Sequence, residues 1–214
     1  LGPSKDLKIS EIMYKPAPLD TLPSHGLEFL ELTNTGSETV DLSNMRFSEG
    51  IDYQFPAGAQ LQPGAYLVLA NHAGYFEEYY GFAPYAQYAK ELSNQGERIV
   101  LLDAFGTPAL DVTYSDDDGW PEAADGAGPS LVAVGNDPND PAAWRASTAL
   151  GGSPGAPDPA PVVINEVEVD PLTTAVTKVE LYNPSQDTAA VGSWQLTTEA
   201  VLVRQTRAAQ PTAG

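Results

Sequence analysis

Any chemistry in this sequence would have to come from its carboxylates. Glu11 in "ISEIMY" and Glu31 in "EFLELTN" sit inside two consecutive strand-like runs, and Glu166 in "INEVEV" with Glu180 in "KVELYN" repeat the arrangement. Alternation puts Leu30 and Leu32 on one strand face and Glu31 with Thr33 on the other; Glu180 and Tyr182 likewise stand opposite Val179 and Leu181. Two neighbouring carboxyl groups can work as a general acid–base pair or hold a cation. They can equally be strand-face charges satisfied by a hydrogen bond or by a Lys or Arg partner. The duplication favours this structural role, because a diverging repeat keeps what its fold needs more readily than a catalytic pair. Asn34 and Asn183, which close the second run of each copy, are read as structural in the same way.

The acidic loop "SDDDGWPEAADG" (115–126) is the candidate metal site, with Asp116, Asp117, Asp118, Glu122 and Asp125 as oxygen donors. Ca²⁺ takes roughly six to eight oxygens and is the ion such a set would suit, although the spacing is not that of an EF-hand. "GNDPND" (135–140) is a second oxygen-rich stretch and reads as a turn. No cofactor is required by any motif. His25 and His72 form no metal-ligating pair. "GGSPG" (151–155) has the form of a nucleophile elbow around Ser153, but the next residue, Pro154, lacks the N–H that an oxyanion hole would need there. Without cysteine there is no disulfide, thiolate nucleophile or Cys–zinc site. The chain therefore reads as non-enzymatic.

The elements that must position these residues are short strands. Runs at 7–14, 27–34, 44–48, 52–55, 65–70, 97–103, 109–115 and 130–134 are separated by Gly, Pro and Asn turns, with a hairpin at Ala104-Phe105-Gly106. About eight or nine such strands without long helices predict an all-β antiparallel sandwich. One segment differs. In "NHAGYFEEYYGFAPYAQY" (71–88), Phe76, Tyr79 and Tyr80 have helical spacing ended by Gly81, which predicts a short helix over one end of the sandwich. Tyr75, Tyr79, Tyr80, Tyr85 and Tyr88 are candidates for binding a glycan or a partner, against the simpler expectation that the stripe packs on the core. Trp120 and Trp144 are expected to plug the ends of the sandwich.

"GGSPGAPDPAPV" has no periodicity and reads as a linker. The expected organisation is a sandwich over 7–150, a linker over 151–161 and a second repeat over 162–214. "ISEIMYKP" (9–16) matches "INEVEVDP" (164–171), "EFLELTN" matches "KVELYNP", and "TVDLSNMRFS" (39–48) matches "AAVGSWQLTT" (189–198), where Met45 aligns with Trp194 and Phe47 with Leu196. The second repeat is expected to be incomplete, with an open edge that a strand from another chain would complete. The oligomeric state is not specified by the sequence.

Ten Lys and Arg against 29 Asp and Glu leave a formal charge of −19, which disfavours direct nucleic-acid binding. No apolar run is long enough to span a membrane, and "LGPSKDLKIS" has no signal-peptide core.

The first copy resembles a lamin-tail domain of the bacterial kind. The resemblance rests on "ISEIMYKP" (9–16), "EFLELTNTGSETVDLSNMRFSEG" (28–50), "YQFPAGAQLQPGAYLVLA" (53–70) and "ELSNQGERIVLLDAFG" (91–106). It continues through "DVTYSDDDGWPEAADGAGPSLVAV" (111–134) to "DPAAWRASTALGGSPGAPDP" (140–159), and the second copy resembles only the family's first third. Met45 stands where the family pattern usually has Trp. The resemblance implies an immunoglobulin-like sandwich. It also implies a non-catalytic interaction or adhesion module of an extracellular or cell-surface bacterial protein, in contact with a protein or surface ligand. Bacterial versions accompany secreted nucleases, phosphatases and other hydrolases, so an accessory role beside a hydrolase is an alternative, as is a Ca²⁺- or carbohydrate-binding module.

Overall fold

The computed structural model describes residues 5–19, 22–159, 162–170 and 176–183. Two compact units divide the chain, Leu1–Asp158 and Pro159–Gly214. In the first, the elements in order are β1 (Leu7–Met13), β2 (Phe29–Asn34), β3 (Val40–Asp41), β4 (Arg46–Glu49), β5 (Gln60–Leu61) and β6 (Tyr66–Ala70). They are followed by α1 (Ala73–Tyr80), β7 (Ala86–Gln87), β8 (Gly96–Leu102), β9 (Pro108–Ser115), β10 (Leu131–Ala133) and β11 (Trp144–Ala146).

The strands form a six-stranded sheet in the order β11-β10-β1-β2-β6-β7 and a three-stranded sheet in the order β4-β8-β9, with β3 and β5 paired separately. All pairings are antiparallel except β6 with β7. Core residues come from both sheets: Ile12, Leu30 and Leu69 from the larger, Ile99, Leu101 and Val112 from the smaller. The unit is thus the all-β sandwich expected from the strand spacing, immunoglobulin-like as the resemblance implies. The sequence missed only pieces too short to show a period, namely β3, β5, β7 and β11, while 52–55 makes isolated bridges instead of a full strand. Met45 lies in this core.

β2 departs from the expected half-buried pattern, since all six of its residues are buried. Leu30 and Leu32 point into the sandwich core. Phe29, on the opposite face, joins Met13, Val68, Ala70 and Phe76 in a second cluster under α1. The helix forms where the spacing predicts it. His72 caps its first turn by accepting the Tyr75 N–H, and Gly81 ends it in the left-handed region at φ +80. Phe76 meets Phe29 edge-on at 5.9 Å, a geometry worth about 0.5–1.5 kcal/mol beyond buried area.

The rest of that outer face is covered by residues 151–158. Their composition reads as a linker, but they belong to the first compact unit and hydrogen-bond back onto β1 and β2. The compact unit runs to Asp158, not to residue 150. Glycine and proline mark flexible linkers and also extended segments pinned by their own N–H groups, and composition alone does not separate the two.

In the second unit, β12 (Val163–Val169) pairs antiparallel with β13 (Val176–Tyr182). The third matching strand of the repeat, with Trp194 and Leu196, lies outside the described residues.

Candidate functional site

The paired glutamates are brought together as their spacing requires. Glu11 and Glu31 are directly opposite across β1 and β2, each only 1% exposed. A β-bulge between Ile9 and Glu11 allows this, because one extra residue lets Ile9 and Ile12 both face the core while Glu11 faces out. Ser10, the residue in the bulge, donates its hydroxyl to Glu31 Oε1 at 2.6 Å.

The other donors come from around and across the sheet. Ser130 Oγ donates to Glu11 Oε1 from the loop before β10. The Ser153 N–H donates to the same oxygen at 2.9 Å and the Ser153 hydroxyl to Oε2 at 3.3 Å. Gly155 N–H donates to Glu31 Oε2 at 2.5 Å. The two carboxyl groups thus clasp an extended strap, residues 151–158, through backbone donors two residues apart. Gly152 must be glycine, because it holds φ +79 and a Cβ there would run into the Glu11 carboxyl. At the far end of the strap, Asp158 accepts from Arg145 Nη1 at 2.5 Å and from the Thr148 N–H at 3.0 Å.

Burial pushes the Glu11 carboxyl up to about 7, against the pull of its Ser130 and Ser153 hydrogen bonds. It pushes Glu31 up to about 8, against Ser10 and Gly155, with the neighbouring Glu11 charge adding to the rise. A raised carboxyl pair is a common mark of acid–base sites. Here both groups line a cavity of about 190 Å³ with Tyr66, Arg145 and Asp158, and the groups bonded to them hold the strap in place.

Sequence reasoning missed three charged residues. Glu28 is 2% exposed, accepts the Leu92 N–H at 2.8 Å, and is pushed by burial up to about 8. Its position in phase with Leu30 and Leu32 was the available signal. It lines a second cavity, of about 330 Å³, with Lys15, His25, Asn94 and Asp125. Arg145 and Asp158, which fix the strap, carried no signal in sequence.

The acidic loop does not assemble as a cage. Asp125 pairs with Lys15 at 2.5 Å, the Asp117 N–H is bonded to the Ser115 hydroxyl, Asp118 occupies a left-handed turn at φ +54, and the exposed Glu122 opens a 3₁₀ turn. Asp116 is half-buried, and among the described residues no three of Asp, Glu and His converge as metal ligands. The five tyrosines also fail to share a surface. Tyr88 is buried in the core, Tyr80 donates its hydroxyl to the Gly151 carbonyl at 2.7 Å, and Tyr75 stacks on His72 at 3.7 Å. Tyr79 is half-buried against Gly151, and Tyr85 alone is well exposed. Trp120 and Trp144 pack together at 5.8 Å, and the Trp144 indole donates to the Pro138 carbonyl. Asn34 is a turn residue: its amide donates to Glu38 O and Leu61 O while its carbonyl oxygen accepts the Gly36 N–H.

The second hairpin repeats the carboxylate geometry. Glu166 is opposite Glu180, with a bulge between Ile164 and Glu166, and the Asn165 amide donates to Glu180 Oε1 at 2.5 Å as Ser10 does to Glu31. There the two carboxylates are exposed and flank Lys178 at 3.3 and 3.7 Å. Asn183 follows β13 and is half-buried.

A family profile described as Lamin Tail Domain matches residues 2–116. No curated protein and no solved structure matches the chain.

Proposed function

Because the chain belongs to the lamin tail domain family, an immunoglobulin-like family that commonly serves as an interaction module, we propose that it is a non-catalytic adhesion or interaction module of a secreted or cell-surface bacterial multidomain protein. Its contacts are with proteins or surfaces, and where a hydrolase shares the parent chain its role is accessory. The observation that supports this reading is the use made of the most catalysis-like residues. Glu11 and Glu31 spend their hydrogen-bonding capacity on Ser10, Ser130 and the strap. The G-x-S-x-G serine is itself one of those donors, with Pro154 after it.

The test is a pair of assays on the purified chain. Phosphodiester, phosphomonoester, ester and glycoside substrates are expected to show no turnover above the buffer control, while fluorescently labelled chain binds intact bacterial cells saturably. Turnover that copurifies with the chain and disappears in Glu31→Gln would contradict the reading, as would cell binding no stronger than that of a similarly acidic control protein.

A further inference from the structure

The outer edge of β9 is shaped to take another strand. In the three-stranded sheet β9 is the last member, and among the described residues no strand pairs with its far side. One rung of that edge is filled by a side chain instead. Asn139, in the loop before β11, accepts the Thr113 N–H at 2.8 Å through Oδ1 and donates Nδ2 to the Asp111 carbonyl at 3.1 Å. A side-chain amide bonded to both groups does what one residue of a neighbouring strand would do. Strand alternation then directs the Asp111 N–H and the Thr113 carbonyl to the same edge.

Beside this rung lies a groove of about 190 Å³ between β9 and the start of β1. Trp144, Leu7 and Leu110 contribute apolar wall, and Lys5 and Lys8 stand along it. Two lysines at one groove are notable in a chain with 10 cationic and 29 acidic residues. Of the carboxylates near this edge, Asp111 is held by Arg98 through two hydrogen bonds at 2.8 and 2.7 Å, while Asp137 and Asp140 of the neighbouring loop accept the Asn139 and Ala142 N–H groups at 3.0 and 2.9 Å.

We propose that this groove is a docking surface for an extended acidic peptide segment of a partner protein, which adds to the β9 edge as a further strand. Main-chain bonds to Asp111 supply registry, the apolar wall takes the inward side chains, and Lys5 with Lys8 selects carboxylates on the alternate positions. Asn139 protects the edge when no partner is bound. The proposal rests on the reading of the chain as an interaction module and gives it a surface.

The probe is a capped seven-residue peptide of alternating Glu and Val, titrated into the full-length chain beside its Lys–Val counterpart, with amide chemical shifts and tryptophan emission as readouts. The acidic peptide is expected to bind saturably and shift the Asp111 and Thr113 amides and the Trp144 indole. Lys5→Glu with Lys8→Glu lowers its affinity at least about tenfold. Asn139→Ala, by freeing one more rung, tightens it several-fold. Unmoved β9 amides at millimolar acidic peptide overturn the proposal, as does equal binding of the Lys–Val peptide or a lysine reversal that changes affinity less than about twofold. If the peptide fails while cell binding persists, the edge is ruled out and the interaction-module reading stands; turnover in the substrate assays removes that reading independently.

Discussion

A glutamate on the outer face of a sheet normally stays ionised in water, close to its usual value of about 4.3. Glu31 cannot, because the strap removes water from it while Glu11 lies opposite. Its folded-state value of about 8, with Glu11 near 7 and Glu28 near 8, has a thermodynamic consequence. In the unfolded chain these groups ionise near the ordinary carboxylate value, so between that value and about 8 the folded state holds more protons. Their contribution to stability is complete below the unfolded value and is lost as pH rises through 7 to 8. Denaturant unfolding at pH 5 and pH 9 should therefore show the wild type losing stability with rising pH. Glu31→Gln, which keeps an acceptor for Gly155 but cannot ionise, should lose less by up to about 4 kcal/mol, at about 1.4 kcal/mol for each of the roughly three pKa units between pH 5 and the folded value. Equal pH slopes for the two proteins would mean that Glu31 is not held protonated by its burial.

At the scale of elements, short apolar runs bounded by turn residues carried β1, β2, β6, β8 and β9, and helical spacing carried α1, although β2 and β6 are buried on both faces. The juxtaposition of Glu11 and Glu31 also followed from sequence, through their places on consecutive strands. What the spacing could not supply was their donors. Ser153 and Gly155 lie more than 120 residues away, in a segment whose composition is that of a linker, and its order comes from N–H groups that every residue but proline possesses. The bulge at Ser10 was likewise invisible, although "ISEI" contains it, since Ile9 and Ile12 share a face only if a bulge is assumed. Three glycines of the strap, at 151, 152 and 155, hold positive φ, and Gly152 is the one whose added Cβ would meet the Glu11 carboxyl. Gly152→Ala, strained at φ +79 and driven against the Glu11 carboxyl, is expected to cost about 1–3 kcal/mol and to open 151–158 to protease ahead of the sandwich. Cleavage there at the wild-type rate would show that the close packing of Gly152 on Glu11 is not needed.

For the whole molecule, the family match explains the sandwich, and the structure extends the same compact unit through the strap to Asp158. The β12–β13 hairpin carries an equivalent carboxylate pair in the same register, with both groups exposed, so one bulged hairpin design appears in two settings. That contrast fits a structural role, since the pair becomes a clasp where a strap covers it. The central claim is that Glu11 and Glu31 bind residues 151–158 into the fold, and amide hydrogen exchange of Ser153 and Gly155 in the intact chain tests it most directly. Protection comparable to that of the β2 amides, lost at Gly155 in Glu31→Ala while β2 itself stays protected, is the predicted result. Exchange of both amides at the rate of an unstructured chain in the wild type would contradict the account and return this segment to the role of a linker.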